Sequence, residues 1–240
     1  MQTIIEKLTV PKVILRYIVM NFTDIKTIEN IILNVKIMNV LDNYSKNILE
    51  KAKRGFIYNC KNGHLSVAKW LYSLGSINIH ASNGRAFSES CIYGHLDVAQ
   101  WIYSIGNVDI HVDKEYVFRL SCQNGHLSVA KWLLGLGTSC SHKGQGGIDI
   151  HANNEYAFKW SCENGHLTVA KWLYKLGTKC TQCNIDIHTD DDYAFQMSCH
   201  NGHVIIAQWL YSLGVDIYSK KNRSVFQCSP GKILKWLYHL

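Results

Sequence analysis

From Leu127 to Leu136 the apolar residues Val129, Ala130, Leu133 and Leu136 recur at three and four positions, with Ser128 and Lys131 between them. That spacing puts one face of an α-helix against a core and predicts a helix over this stretch. Gly137 stops it. Upstream, Val117, Phe118, Ser121 and Cys122 share one face of a helix predicted from Glu115 to Gln123. Asn124-Gly125 supplies the left-handed residue that ends this helix. Before it, Val108-Asp109-Ile110-His111 alternates apolar and polar, the pattern of an extended finger. One unit is therefore finger, helix, tight turn, helix.

The unit recurs. Asn124 to Leu134 has close copies at Asn62 to Tyr72, Asn164 to Tyr174 and Asn201 to Tyr211, and a looser one at Tyr93 to Tyr103. Its Gly-His pair begins at Gly63, Gly94, Gly125, Gly165 and Gly202, in steps of 31, 31, 40 and 37 residues. The two long steps hold nine and six extra residues at one loop position, between Gly137 and Ile148 and between Gly177 and Ile185. Removing them restores 31 throughout. A fixed period near 30 is the signature of stacked helical units.

Residues 1–53 lack the signature but show helix punctuation. Pro11 can open a helix running toward Met20, Thr23 or Asp24 a second, and Asn43 or Ser45 a third that leads into the first repeat. A terminal repeat must have its apolar side covered, so this segment is expected to be a helical cap, with a partner-docking module as the alternative. Residues 54–240 hold five full units and a last, truncated one. That unit keeps Lys235-Trp236-Leu237-Tyr238 but loses Gly-His, as expected of a capping repeat.

Charge adds little. The net charge is +7, of which residues 1–50 contribute +1. Lys51-Ala52-Lys53-Arg54 and Lys220-Lys221-Asn222-Arg223 read as solvated turns, so nucleic acid is a weaker expectation than protein. Acid and base interrupt the first residues, which are not a secretory signal, and Val13 to Phe22 is too short to span a bilayer and contains Arg16. An intracellular, reducing compartment is expected, cytoplasmic or nuclear, with the nine cysteines as thiols.

The unit resembles the ankyrin repeat. Gly-His, the apolar second helix and the closing Leu-Gly match that family's pattern, whereas its Thr-Pro-Leu-His opening is replaced, in the third repeat by Tyr116-Val117-Phe118-Arg119. Ser121-Cys122 stands where the family has two alanines. The form Gly-His-Leu-x-Val-Ala-Lys-Trp-Leu-Tyr-x-Leu-Gly is similar to repeats that multiply in giant viruses of amoebae. The resemblance implies an all-α, ankyrin-type helix-turn-helix solenoid with finger loops. It further implies a face of fingers and first helices that binds another protein.

Each candidate for chemistry has a structural counterpart. Cys60, Cys91, Cys122, Cys162 and Cys199 hold one repeat position, where a small buried residue is wanted; a nucleophile is needed once, not five times. The Gly-His ladder (His64, His95, His126, His166, His203) and the finger ladder (His80, His111, His151, His188) cannot share a zinc ion. Equivalent positions lie about 8–10 Å apart while zinc needs ligands at about 2 Å, so these rings are expected to bond backbone groups between repeats. The two insertions carry Cys140, His142, Cys180 and Cys183, a Cys3His set for a structural zinc if the loops converge. The alternative is two exposed loops with incidental thiols. Gly144-Gln145-Gly146-Gly147 lacks the Lys-Ser/Thr of a phosphate loop, and Asp190-Asp191-Asp192 reads as a solvated finger tip. No catalysis and no cofactor beyond that zinc are expected.

Variation among repeats locates a candidate partner face. Packing positions should repeat, and partner contacts should not. Tyr58, Glu89, Leu120, Trp160 and Met197 share one variable position, and Lys61 and Ile92 belong to another. Arg119, Lys159 and Gln196 are their neighbours on the first helices. Trp160 is the expected anchor, since tryptophan dominates interface energetics. Trp70, Trp101, Trp132, Trp172, Trp209 and Trp236 repeat and are assigned to packing. The expected function is a monomeric scaffold for a protein partner, a host protein included. A nucleic-acid adaptor using the basic turns is the runner-up.

Overall fold

The computed structural model describes residues 45–75, 77–106, 108–137, 147–178, 184–223 and 225–239. The segment before residue 45 and the four candidate zinc ligands, Cys140, His142, Cys180 and Cys183, lie outside the described residues. The chain divides into two compact units, Met1–Val108 and Asp109–Leu240. The described residues are helical or irregular, with no strand among them.

In the first unit, helices α1 (Ser45–Lys61), α2 (Leu65–Ser73), α3 (Ala81–Ile92) and α4 (Leu96–Ile105) form two hairpins. Helix α1 runs unbroken across position 53/54, so Ser45 to Arg54 are the start of the first repeat's own first helix. It packs on α2 and α3, and α3 packs on α4.

In the second unit the hairpins are α5 (Val112–Gln123) with α6 (Leu127–Leu136), α7 (Ala152–Glu163) with α8 (Leu167–Thr178), and α9 (Thr189–His200) with α10 (Val204–Ser212). A 3-10 turn (Lys220–Asn222), α11 (Val225–Cys228) and α12 (Gly231–Leu237) complete it. First helices pack on first helices, α5 on α7 and α7 on α9. The second helix of the third repeat spans the residues its periodicity predicts. These are hairpins of the ankyrin type.

The Gly-His signature has a local cause. Gly165 has φ +84, the left-handed conformation that closes a helix with a Schellman motif. Its N–H donates to the Cys162 carbonyl at 3.2 Å, and the His166 N–H donates to the Ser161 carbonyl at 2.8 Å. Hence glycine ends the first helix, and the next residue opens the second. A close approach adds to the requirement, because a Cβ on Gly165 would lie 2.7 Å from the His203 ring of the next repeat.

The first helices start less simply than the periodicity predicts. Residues 113–115, 153–155 and 190–192 each form one turn with all φ positive, between 50° and 64°. A left-handed residue other than glycine costs about 1–2 kcal/mol, least for Asn and Asp. Six of these nine are Asn or Asp; Lys114, Glu115 and Glu155 are not. Side chains compensate. His111 Nδ1 lies 2.9 Å from Glu115, His151 Nδ1 2.7 Å from Glu155 and His188 Nδ1 2.6 Å from Asp192. Three of the four finger histidines thus bond a carboxylate of their own repeat, where backbone of a neighbouring repeat was expected.

Phe56, Phe87, Phe118, Phe158 and Phe195, one per repeat, are at most 1% exposed. Three of the repeated tryptophans pack from one repeat to the next as expected: Phe56 meets Trp101 at 6.2 Å between centroids, Phe118 meets Trp172 at 6.3 Å and Phe158 meets Trp209 at 6.2 Å. The cysteine ladder lies in the same interior. All five are free thiols and at most fractionally accessible. Burial pushes Cys60 and Cys199 up to about 12 and raises Cys91, Cys122 and Cys162 as well. Thiols held protonated in this way are neither nucleophiles nor metal ligands.

Candidate partner-binding face

The first helices of the second unit bring aromatic rings together. Trp160 lies between Tyr156, 4.2 Å away at an interplanar angle of 4°, and Tyr193 of the next repeat, at 5.3 Å and 25°. All three are half-buried. Tyr156 and Trp160 are four residues apart on α7, so one helical turn stacks them; Tyr193 arrives because α9 packs on α7.

Polar contacts hold the rings in register. The Tyr156 hydroxyl donates to Gln123 Oε1 at 2.6 Å, and the Tyr193 hydroxyl to Glu163 Oε2 at 2.8 Å. Each bond ties a repeat to the one before it. Asn164 and Asn201 reinforce the register, donating to the Gln123 and Glu163 carbonyls at 3.2 and 2.8 Å. Burial and the bond to Glu163 push the Tyr193 phenol up to about 12. Cations close the stack: Arg119 sits 4.7 Å from the Tyr156 centroid, and Lys159 lies 5.4 Å from Trp160 and 5.7 Å from Tyr193.

Arg119 and Lys159 require a correction. Both were expected on the partner-facing surface, yet they are 5% and 3% exposed. Arg119 Nε donates to the Lys114 carbonyl at 2.6 Å and Nη2 to the Asp113 carbonyl at 2.9 Å, closing the left-handed turn below it. Gln196 does the same two repeats on, bonding the Asp191 carbonyl at 2.6 Å and the Lys221 carbonyl at 3.1 Å. Lys159 instead pairs with the Asp190 carboxylate of the following repeat. This position therefore varies between residues that clasp a turn of their own repeat and one that clasps the turn of the next.

The other expected contacts remain accessible. In the second unit Leu120 and Met197 are half-buried at positions equivalent to Trp160. In the first unit Tyr58 is 40% exposed and Ile92 half-buried. Lys61 lies 3.7 Å from Glu89 and over the Tyr93 ring at 4.2 Å, so Lys61 and Glu89 form one charged pair. Tyr156 and Tyr193 escaped the sequence argument. With Tyr116 they form a ladder, so variation among repeats does not single them out.

In the Gly-His ladder, His95, His166 and His203 pack against Gly63, Gly125 and Gly165 of the preceding repeat. Burial and then the neighbouring His203 lower the His166 pKa, and burial and then His95 lower that of His64. Among the described residues no group of three or more His, Cys, Asp or Glu is placed to hold a metal ion, and no helix is long and apolar enough to cross a membrane.

These hairpins, fingers and Gly-His turns make an all-helical repeat fold of the ankyrin type. Residues 118–221 match the family model for ankyrin repeats, in 3 copies. No curated protein matches the chain. Ankyrin repeats are generally protein–protein interaction modules.

Proposed function

We propose that the chain is a scaffold without catalysis of its own, engaging a protein partner through its fingers and first helices. The observation that carries this reading is the Tyr156–Trp160–Tyr193 stack. Three large rings lie half-exposed and rigid on the second unit's first helices. Rigid aromatics give large contact area with little entropy left to lose, which is why they dominate binding hot spots. The first unit has a candidate patch of its own, Tyr58 with the Lys61–Glu89 pair on its first helices. A host protein is proposed as the partner on the motif resemblance to repeats of amoebal giant viruses alone.

The test is affinity capture from host extract with quantitative mass spectrometry, comparing wild type with Trp160→Ala and Trp160→Phe. A specific partner should fall by about tenfold or more with alanine, the loss of a central anchor near 2 kcal/mol, and recover in part with phenylalanine. Recovery unchanged by Trp160→Ala removes this face as the site.

A further inference from the structure

The second helices of the same unit are a different surface. Helices α8, α10 and α12 carry Lys171, Lys175, Lys232 and Lys235, all exposed, and no Asp or Glu. Every Asp and Glu from 109 onward lies instead on a finger or a first helix. The small net charge of the chain therefore hides an asymmetry: the fingers and first helices mix acids with bases, whereas these three helices carry bases alone.

The lysines sit in an ordered aromatic frame. Lys171, Gln208 and Lys235 are equivalent in successive repeats, as are Tyr174, Tyr211 and Tyr238. Lys171 lies 5.8 Å from the Trp209 centroid, and Tyr174 meets the same ring at 5.8 Å and 90°. Tyr211 meets Trp236 at 6.0 Å and 74°. These contacts join the three helices into one continuous stripe. Tyr211 and Tyr238 remain 38% and 74% exposed.

We propose that this stripe is a second docking surface, taking an Asp/Glu-rich segment of another protein. Charge complementarity selects an anionic partner, since nothing on the three helices repels one. The aromatic geometry selects protein over nucleic acid. A base needs an open ring face to stack on, whereas Trp209 is flanked by an ammonium and a perpendicular ring, and Trp236 by another perpendicular ring. A carboxylate needs only donors and positive charge, which lysine ammoniums and tyrosine hydroxyls provide. The stripe shares no residue with the Trp160 stack, so either surface can fail without the other.

The experiment measures fluorescence anisotropy of labelled oligoglutamate and oligothymidylate against the full chain at low and high salt. Three proteins are compared: wild type, a stripe variant (K171E, K175E, K235E) and a finger-side variant with the same change in net charge (K114E, K220E, R223E). Circular dichroism checks each fold, and K171A/K175A/K235A replaces the stripe variant if the reversals unfold it. Wild type should bind oligoglutamate at low salt, and the finger-side variant should bind as well or nearly so. The stripe variant should bind about tenfold more weakly or worse, as reversed charges at a screened surface demand. Absence of oligoglutamate binding overturns the proposal. So does equal loss in both variants, which would mean net charge alone, and so does tighter binding of oligothymidylate, which would mean a nucleic-acid surface.

Discussion

In the second unit the second helices and the first helices with their fingers are built by different rules. The second helices are near-copies whose Val, Ala and Leu positions, Val129, Ala130 and Leu133 or Val169, Ala170 and Leu173, are fully buried. The first helices begin in left-handed turns, bury Arg119 and Lys159, and present different side chains at the position of Leu120, Trp160 and Met197. The second-helix layer is held by apolar packing alone, which any copy of the sequence reproduces. The first-helix layer adds specific polar clasps to its buried phenylalanines, and its surface positions are free to diverge. Both layers share the core, and individuality is concentrated in one of them.

The largest effect that can break this comparison is in the core. Leu173→Ala should cost about 2–5 kcal/mol, because the site is closed on all sides and cannot collapse. Arg119→Ala should cost less, about 1–3 kcal/mol, through the unsatisfied Asp113 and Lys114 carbonyls. Urea unfolding of the two variants measures both. If Arg119→Ala proves the more damaging, the clasps and not the core carry the second unit.

A smaller effect separates two glycines. Gly165→Ala places a Cβ in the left-handed region and within 2.7 Å of the His203 ring. It should destabilise by about 1–2 kcal/mol or more. Gly135 lies inside helix α6 with nothing within 4 Å, so Gly135→Ala should stabilise by up to about 1 kcal/mol. Melting temperatures moving in opposite directions are the expected outcome. A drop for both would mean that the second helices are less regular than their sequence.

How much of this was legible in the sequence follows the same division. Leu127 to Leu136 is read correctly to the residue, since apolar periodicity and a stopping glycine act locally. The first helix is read correctly to its end at Gln123, but the left-handed turn at 113–115 is not legible, because it is stabilised by His111 and Arg119, four residues either side of Glu115, and local propensity argues against it. Trp160 was singled out because it is idiosyncratic; its flanking tyrosines were not, because they repeat, serving both the register and the exposed stack. Arg119 and Lys159 were misplaced because variation between repeats can record alternative ways of closing a turn as readily as contact with a partner.

The smallest effect tests whether the tyrosine bonds of the first-helix layer contribute to stability at all. Folding pushes the Tyr193 phenol from its ordinary value near 10 up to about 12, by burial first and by the bond to Glu163 second. The folded protein therefore keeps a proton that the unfolded chain releases. The stabilisation is complete below pH 10 and is lost as pH rises from there through about 12. Tyr193→Phe removes the ionisable group, so its alkaline loss of stability should be shallower than that of wild type, while near neutrality it should be modestly less stable for want of the hydroxyl bond to Glu163. Unfolding followed from pH 8 to 12, with phenolate absorbance read in parallel, distinguishes the two. Superimposable alkaline profiles would show that the Tyr193 hydroxyl bond is incidental, and that the aromatic stack is held by ring packing alone.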